Sequence, residues 1–338
     1  MNIATGLEQI EQTQFLNCVS PASFLAPDYV DLGSAWVEHI PFAFWLVGAL
    51  APATIVELGT YNGCSYLAFC QAVAHLRLDA RCFAVDTWQG DDHTGAYGEE
   101  VFTGFAGRHG RYGAFSSLVR SSFSEALPHF QDGSIDLLHI DGRHFYEDVA
   151  GDFRSWLPKL SARAVVLFHD TNARERRMGV SRFFGEIRAR YPHFEFLHGS
   201  GLGVLGVGGR IPESIVRLCR MSAHPSAAAD LRAIYFRLGR AVSDAARLAQ
   251  GRPAAPGGDE DQEVDRLRAE LAAQAARLSY LRAVLGKSTH ERHALGSKLA
   301  ELESRLAHLL DSSSWRVTAP LRSAKRLIDR ATRTAAGT

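Results

Sequence analysis

The chain has 338 residues, with 37 basic and 37 acidic side chains and a formal net charge of zero. The length suggests two domains or one large domain with an appendage, and 46% hydrophobic with 22% charged residues is an ordinary globular balance; this argues against gross disorder, a collagen-like chain, a disulfide scaffold and a uniformly basic nucleic-acid binder. The zero is a sum of unequal parts: residues 1–258 carry 23 basic and 26 acidic groups, residues 259–310 carry 8 and 9, and residues 311–338 carry 6 and 2, so a charge of +4 is concentrated at the C-terminus.

Residues 1–35 read as an N-terminal extension. Met1–Gln14 lacks the basic-then-apolar pattern of a signal peptide. Five cysteines, an odd number with no C-x-x-C pair, argue against a disulfide framework and a zinc ribbon and point to a reducing cytosol. The uncharged stretch Ile40–Val56 contains Pro41 and Pro52. A membrane span needs about 20 unbroken apolar residues, so a buried helix followed by a strand is expected.

The most informative segment is Ile55-Val-Glu-Leu-Gly-Thr-Tyr-Asn-Gly-Cys-Ser65. An apolar strand, Thr54–Leu58, runs through Glu57 into Gly59 and Gly63, and a helix is expected over Ser65–His75. Glycine lets the backbone turn tightly and approach a ligand. The spacing E-x-G-x-x-x-G is neither the dinucleotide fingerprint nor a P-loop. An acid two residues before the first glycine disfavours a pyrophosphate and suits a ligand carrying an ammonium group. The next strand, Cys82–Asp86, ends in an acid that can accept hydrogen bonds from two ribose hydroxyls, and Trp88 can stack on an adenine.

These segments resemble the class I S-adenosylmethionine-dependent methyltransferases. Glu57-x-Gly59-x-x-x-Gly63 matches their first motif and Asp86 their ribose-binding acid. The resemblance covers residues 36–210. It implies a Rossmann-like seven-stranded α/β sheet with the last strand antiparallel. It also implies S-adenosyl-L-methionine as cofactor, held by Glu57, Gly59, Asn62, Gly63, Ser65, Asp86 and Trp88.

Gly90–Ser117 holds seven glycines and reads as a long acceptor-side lid, with Asp91 and His93 as weak contact candidates. A weak strand follows at Leu118–Arg120. Ser134–Ile140 is an apolar strand running into Asp141, with His144 three residues on and a helix over Tyr146–Leu157. Ala164–Phe168 is another strand, running into His169-Asp170. Ligands in open α/β sheets bind outside the carboxyl ends of the strands, so Asp141 and Asp170 are expected to share the crevice of Glu57 and Asp86. Carboxylates with imidazole there invite a divalent cation; all-oxygen ligation suits Mg²⁺, and imidazole shifts the choice towards Mn²⁺, Fe²⁺ or Zn²⁺. His139 reads as core.

The pair Asp141-Gly-x-His144-x-Tyr146 and His169-Asp170 resembles metal-dependent O-methyltransferases, most closely the branch that modifies sugars. The resemblance implies Asp141 and Asp170 as metal ligands, Mg²⁺ as the foremost ion, and His144 with Asp141 as the catalytic groups. Asp170-Thr171 stands where the catechol enzymes have Asp-Asn, which leaves the third ligand open between Asn172 and His169.

A helix is expected over Val180–Tyr191. Phe194–His198 and Gly203–Val207 then read as a hairpin that places one antiparallel strand at an edge. Residues 211–250 read as a helical extension and residues 251–258, rich in Pro and Gly, as a linker. In residues 259–310 a heptad runs unbroken, with a positions from Val264 to Leu306 and d positions from Leu267 to Leu309. Eleven of these 14 sites are apolar, Arg292, Gln274 and Ser288 being the exceptions. That predicts a C-terminal helical coiled coil and a homo-oligomer. In residues 311–338, Leu321, Ala324, Leu327, Ile328 and Ala331 share a helical face and leave Arg322, Lys325, Arg326, Arg330 and Arg333 for the other, the pattern of a basic amphipathic helix on an anionic membrane surface. Ser-Trp315-Arg-x-Thr-x-Pro-Leu-Arg322 resembles tails that follow coiled coils in bacterial glycosyltransferases and polysaccharide-assembly proteins.

The sequence therefore predicts a cytoplasmic, metal-assisted O-methyltransferase. Its acceptor is a sugar hydroxyl of a surface polysaccharide or glycolipid, its tail gives peripheral contact with the inner membrane face, and nucleic acid is not a partner. A scaffold or length gauge for glycan assembly is the alternative from another class. A metal-dependent hydroxylase is a third reading, and it leaves Glu57 and Asp86 unexplained.

Overall fold

The computed structural model describes residues 18–91, 95–173 and 178–251. His93, linker residues 252–258, the heptad segment 259–310, the tail 311–338 and residues 1–17 of the N-terminal extension lie outside the described residues. Among the described residues no helix is long and apolar enough to cross a membrane.

Seven strands form one sheet: β1 (Thr54–Leu58), β2 (Arg81–Asp86), β3 (Ser116–Arg120), β4 (Ile135–Ile140), β5 (Leu160–His169), β6 (His193–Phe196) and β7 (Leu202–Gly206). Their spatial order is β3-β2-β1-β4-β5-β7-β6. The pairs across β3, β2, β1, β4 and β5 are all parallel. β7 is antiparallel to both β5 and β6. The predicted hairpin forms, but its antiparallel strand is not at the edge: β7 lies between β5 and β6, and β6 is the edge. Every residue of β7 is buried, which suits an inner position covered on both faces. Gly203 admits the Phe184 ring, which a side chain there would strike.

The sheet separates two cores by the period of two that governs strand side chains. On one face, Ile55, Cys82, Ala84, Leu137, Val165 and Leu167 meet helices α1 (Ile40–Leu50) and α2 (Cys64–Leu76) and the turn Ala35–His39. On the other, Val56, Leu58, Leu138, Val166 and Phe168 meet two further helices, Tyr146–Trp156 and Val180–Ile187, through Phe153, Trp156, Phe183 and Phe184. By the same alternation Glu57 and His139 belong to the first face, side by side in the β1–β4 register.

The expected lid at Gly90–Ser117 is not an unstructured loop. Glu99–His109 is a helix, here α3, followed by a short turn and the start of β3. Val101, Phe102, Phe105 and His109 recur at helical spacing, Glu99 and Glu100 stand in the first turn, and Arg108 and His109 stand in the last, as the helix dipole favours. The glycines depress helix propensity and hid this face. α4 is Tyr146–Trp156, α5 Val180–Ile187, α6 Glu213–Arg220 and α7 Pro225–Ala249. α7 packs on the turn Ala35–His39, and Tyr235 on it donates to the Cys18 carbonyl at 2.6 Å.

A buried polar knot ties α2 and α3 to β3. Ser116 Oγ lies 2.6 Å from Tyr66 Oη and 2.8 Å from His109 Nε2. Burial holds the His109 imidazole below its ordinary pKa of 6.5. Below that value the unfolded chain takes up a proton that the folded one resists, so this contribution to stability is lost as pH falls. His109→Gln lacks the effect. The stability difference between wild type and variant is expected to narrow by up to about 1.4 kcal/mol per pH unit below about 6.5, as measured by urea denaturation on either side of that value.

Candidate active site

A cavity of about 640 Å³ opens at the carboxyl ends of the parallel strands. Gly59–Ser65 forms one wall, and Asp86, Thr87, Gly90 and Tyr97 form the next. Asp141–His144 with His169 and Asp170 stand opposite, and Asp31, Ser34 and Trp36 close the remaining side. Gly59, Asn62, Gly63, Ser65, Asp86, Asp141, His144 and Asp170 of the sequence reading therefore share one space. Glu57 and Trp88 are not among its lining residues.

Glu57 is fully buried beneath the floor. Its Oε2 lies 2.8 Å from His139 Nδ1, and Trp36 Nε1 donates to His139 Nε2 at 3.2 Å. Because Nε2 accepts, Nδ1 carries the hydrogen and donates to Glu57. Burial pushes the Glu57 carboxyl above its ordinary pKa, against His139 and the Ser65 hydroxyl, which hold it down. The expected contact with a ligand ammonium is therefore not made by this side chain, because strand alternation turns it into the core. Among the acids that line the cavity, Asp31 stands on the N-terminal side, where it accepts from Asn62 Nδ2 at 3.0 Å and from the Gly33 amide at 2.9 Å.

The two loop glycines answer to internal approach. Both have positive φ, and a side chain at Gly59 would strike the Asp141 carbonyl, one at Gly63 the Phe105 ring. Asp86 organises the same loop. One oxygen accepts from the amides of Thr60 and Tyr61 at 2.8 and 2.9 Å, the other from Trp88 at 2.7 Å. A carboxylate offers about four lone-pair sites, so about one remains for a ligand hydroxyl rather than the two expected. Trp88 is 1% exposed, donates to the Tyr61 carbonyl at 3.0 Å and stacks on Phe105. It has no free face for an adenine. The aromatic surface at that end comes from Tyr61, Tyr97 and Phe123, which sequence spacing did not single out.

Opposite this wall, two carboxylate oxygens are flanked by two imidazoles. His144 Nε2 lies 3.5 Å from Asp141 Oδ1 and 3.1 Å from Asp170 Oδ2; His169 Nδ1 lies 3.3 Å from each. Burial opposes the protonation of His169, but Asp141 and Asp170 outweigh it and hold this imidazole well above the usual range. His144 is raised by the same contest. Burial pushes the Asp141 carboxyl up, yet His169 and His144 prevail and hold it well below its ordinary value. Asp141, His144 and Asp170 offer ligand atoms within 4.8 Å of one another, and two carboxylates with imidazole fit a divalent cation. His139 is core, as expected. His169 joins the cluster, whereas the Asn172 amide donates to the Leu197 carbonyl at 2.9 Å. The Cys64 thiol also lines the cavity, but burial pushes it up to about 12, which leaves it protonated and unreactive. Only the backbone of Asp91 is described.

Asp86→Asn replaces an acceptor oxygen with a donor that faces backbone N–H groups. The expected outcome is a loss of about 1–3 kcal/mol in unfolding free energy, read by urea denaturation.

Residues 56–171 match a protein-family model described as a methyltransferase domain. Over 194 residues the chain is 52% identical to the uncharacterized protein y4gI of Sinorhizobium fredii; the match covers 57% of this chain and 21% of that protein, so the chain spans about a fifth of its curated relative. Similar solved structures include the O-methyltransferase TomG from Streptomyces achromogenes, in complex with SAM, at 17% identity and TM-score 0.39, covering 56% of this chain and 94% of that one. Another is a putative caffeoyl-CoA O-methyltransferase from Staphylococcus aureus, at 15% identity and TM-score 0.40, covering 59% and 96%. The methyltransferase-domain match begins within β1 and ends just after β5, and so contains the glycine loop, Asp86, Asp141, His144 and Asp170.

Proposed function

We propose that the chain is an S-adenosylmethionine-dependent O-methyltransferase, assisted by a divalent cation, that methylates a sugar hydroxyl of a bacterial surface polysaccharide or glycolipid. The observation that supports this most is that a single cavity is lined both by the glycine loop with Asp86 and by the Asp141–His144–Asp170 cluster. A bound cofactor would supply the electrophilic methyl group, and a cation held by Asp141 and Asp170 would supply Lewis acidity and offset the carboxylate charge that raises the His144 pKa.

The chain's own residues carry the rest. Asp86 holds the loop that cradles the nucleoside and keeps an acceptor position for a ribose hydroxyl. His144, neutral at Nε2, removes the proton from the acceptor hydroxyl. Asp170, 3.1 Å from that nitrogen, orients the ring and stabilises the imidazolium that forms. The opposed walls hold acceptor and methyl group at attack distance, the largest source of rate in such a transfer. The Asp-Gly-x-His-x-Tyr segment and the tail motif support a sugar acceptor. The proposal extends to residues 259–310 as a self-association segment and residues 311–338 as an element that docks on anionic membrane.

Calorimetry with S-adenosylmethionine tests the core of the reading, and absence of binding overturns it. His144→Gln is expected to leave that affinity unchanged while slowing methyl transfer about 10²–10⁴-fold. EDTA is expected to abolish transfer to glycan acceptors; full activity in its presence removes the cation from the reaction. The full chain is expected to bind anionic vesicles at low salt and to leave them near 1 M salt, where the Debye length falls to about 3 Å; binding that persists there argues against charge-driven docking.

A further inference from the structure

We infer that Asp31 is the carboxylate that receives the ammonium group of the methyl donor, taking the part that the buried Glu57 cannot play. The inference deepens the cofactor half of the reading above and rests on it.

S-Adenosylmethionine has two ends to be held, a nucleoside and an amino acid whose ammonium group offers donors and no acceptor. Among the described residues four acids line the cavity: Asp31, Asp86, Asp141 and Asp170. Asp86 is largely taken up by the amides of Thr60, Tyr61 and Trp88. Asp141 and Asp170 have His144 and His169 within 3.5 Å. Asp31 stands apart from both, beside Ser34 and Trp36 on the remaining side of the cavity.

Its described partners bring no counter-charge. They are the Asn62 side-chain amide at 3.0 Å and the Gly33 N–H at 2.9 Å, both neutral. Asp28, three residues earlier, is paired instead with Arg111 at 3.0 Å. Two donors leave about two of the roughly four lone-pair sites of a carboxylate open. A cavity-wall carboxylate with neutral partners and open acceptor sites suits a cationic group, and a hydrogen bond between two charged groups is about twice as strong as a neutral one.

The carboxylate is also held in place. Asp31 Oδ1 accepts from Gly33, and the Asp31 carbonyl accepts from the Ser34 amide at 2.9 Å, which makes a tight local turn. Ser34 then caps the turn Ala35–His39 by accepting from the Trp36 amide at 3.2 Å. Trp36 donates to His139, and His139 donates to Glu57. Glu57 thus anchors, through two side chains, the segment that carries Asp31. The other Asp31 oxygen meets Asn62 in the glycine loop, next to Tyr61, whose amide Asp86 holds. Asp31 and Asp86 therefore grip neighbouring residues of one loop. A single ligand lying along that loop can present its ribose to one acid and its ammonium group to the other.

The test is calorimetry on the full chain with S-adenosylhomocysteine, which has the same amino-acid end, and with its deaminated analogue, in which hydrogen replaces the ammonium group. Wild type is expected to bind the first at least about tenfold tighter than the second. Asp31→Asn keeps the shape and removes the charge. It is expected to lose at least about tenfold in affinity for S-adenosylhomocysteine and to bind the deaminated analogue as wild type does, with thermal unfolding confirming that it folds. Asp31→Ser, which keeps an acceptor for the Gly33 amide, makes the same comparison if Asp31→Asn does not fold. A wild type that binds both ligands equally overturns the inference and leaves the methyltransferase reading standing. A folded variant that weakens both ligands alike, or neither, also overturns it. A wild type that binds neither S-adenosylmethionine nor S-adenosylhomocysteine overturns the methyltransferase reading and the inference with it.

Discussion

The floor of the site depends on a carboxylate that never meets solvent. Glu57 lies at 0% exposure, tied to His139, which is tied in turn to Trp36. An isolated ionised carboxylate in such surroundings is prohibitively costly, and removing one partner from a buried pair costs about 3–5 kcal/mol. The chain of three side chains joins β1, β4 and the turn Ala35–His39, three segments far apart in sequence. That turn bears on α7 and supplies Trp36 to the cavity wall. Loss of the Glu57–His139 contact therefore reaches the cavity through backbone and packing rather than through ligand contact.

The same alternation that buries Glu57 stops mattering at the strand tips. Asp86 is the last residue of β2, and Asp141 and Asp170 follow the last residues of β4 and β5. Past the final ladder bond the chain is free to turn, and these acids face the crevice instead of either core. One becomes a loop organiser, saturated mostly by backbone amides. The other two gather imidazoles. Four carboxylates at the ends of parallel strands thus take three different roles, and each role follows from what stands within hydrogen-bond reach.

Much of this was legible in the sequence. The run Thr54–Leu58 and the acid-tipped segments ending at Asp86, Asp141 and Asp170 mark parallel strands and their ligand-facing ends, because continuous apolar runs and the position of polar punctuation survive folding. The facing of Glu57 was not legible from the motif, since the spacing to the glycines is the same whether the side chain points up or down; counting the period of two from Ile55 would have found it. Trp88 serves the core rather than a ligand, since an aromatic beside a strand-end acid can do either and here Phe105 on α3 takes its face. α3 itself was obscured by glycines at 104 and 107. The contribution of Asp31 and Ser34 depends on an N-terminal segment folding back over α2, which no local pattern records beyond the short Asp31–Gly33 turn.

The backbone around the cavity is held under tension from several sides. Tyr61, Trp88 and Asp170 all have positive φ, at 47°, 51° and 62°, and each such residue costs on the order of 1–3 kcal/mol. They occupy the turns after β1, β2 and β5, three of the strands whose ends define the walls. Two of them are held by Asp86, which accepts from the Tyr61 and Trp88 amides. Asp170 is held by its contacts with both histidines. Strain placed here is offset by bonds that exist only when the loops stand in this arrangement. The spacing between the loop that Asp86 holds and the acid–imidazole cluster is therefore fixed by these internal contacts.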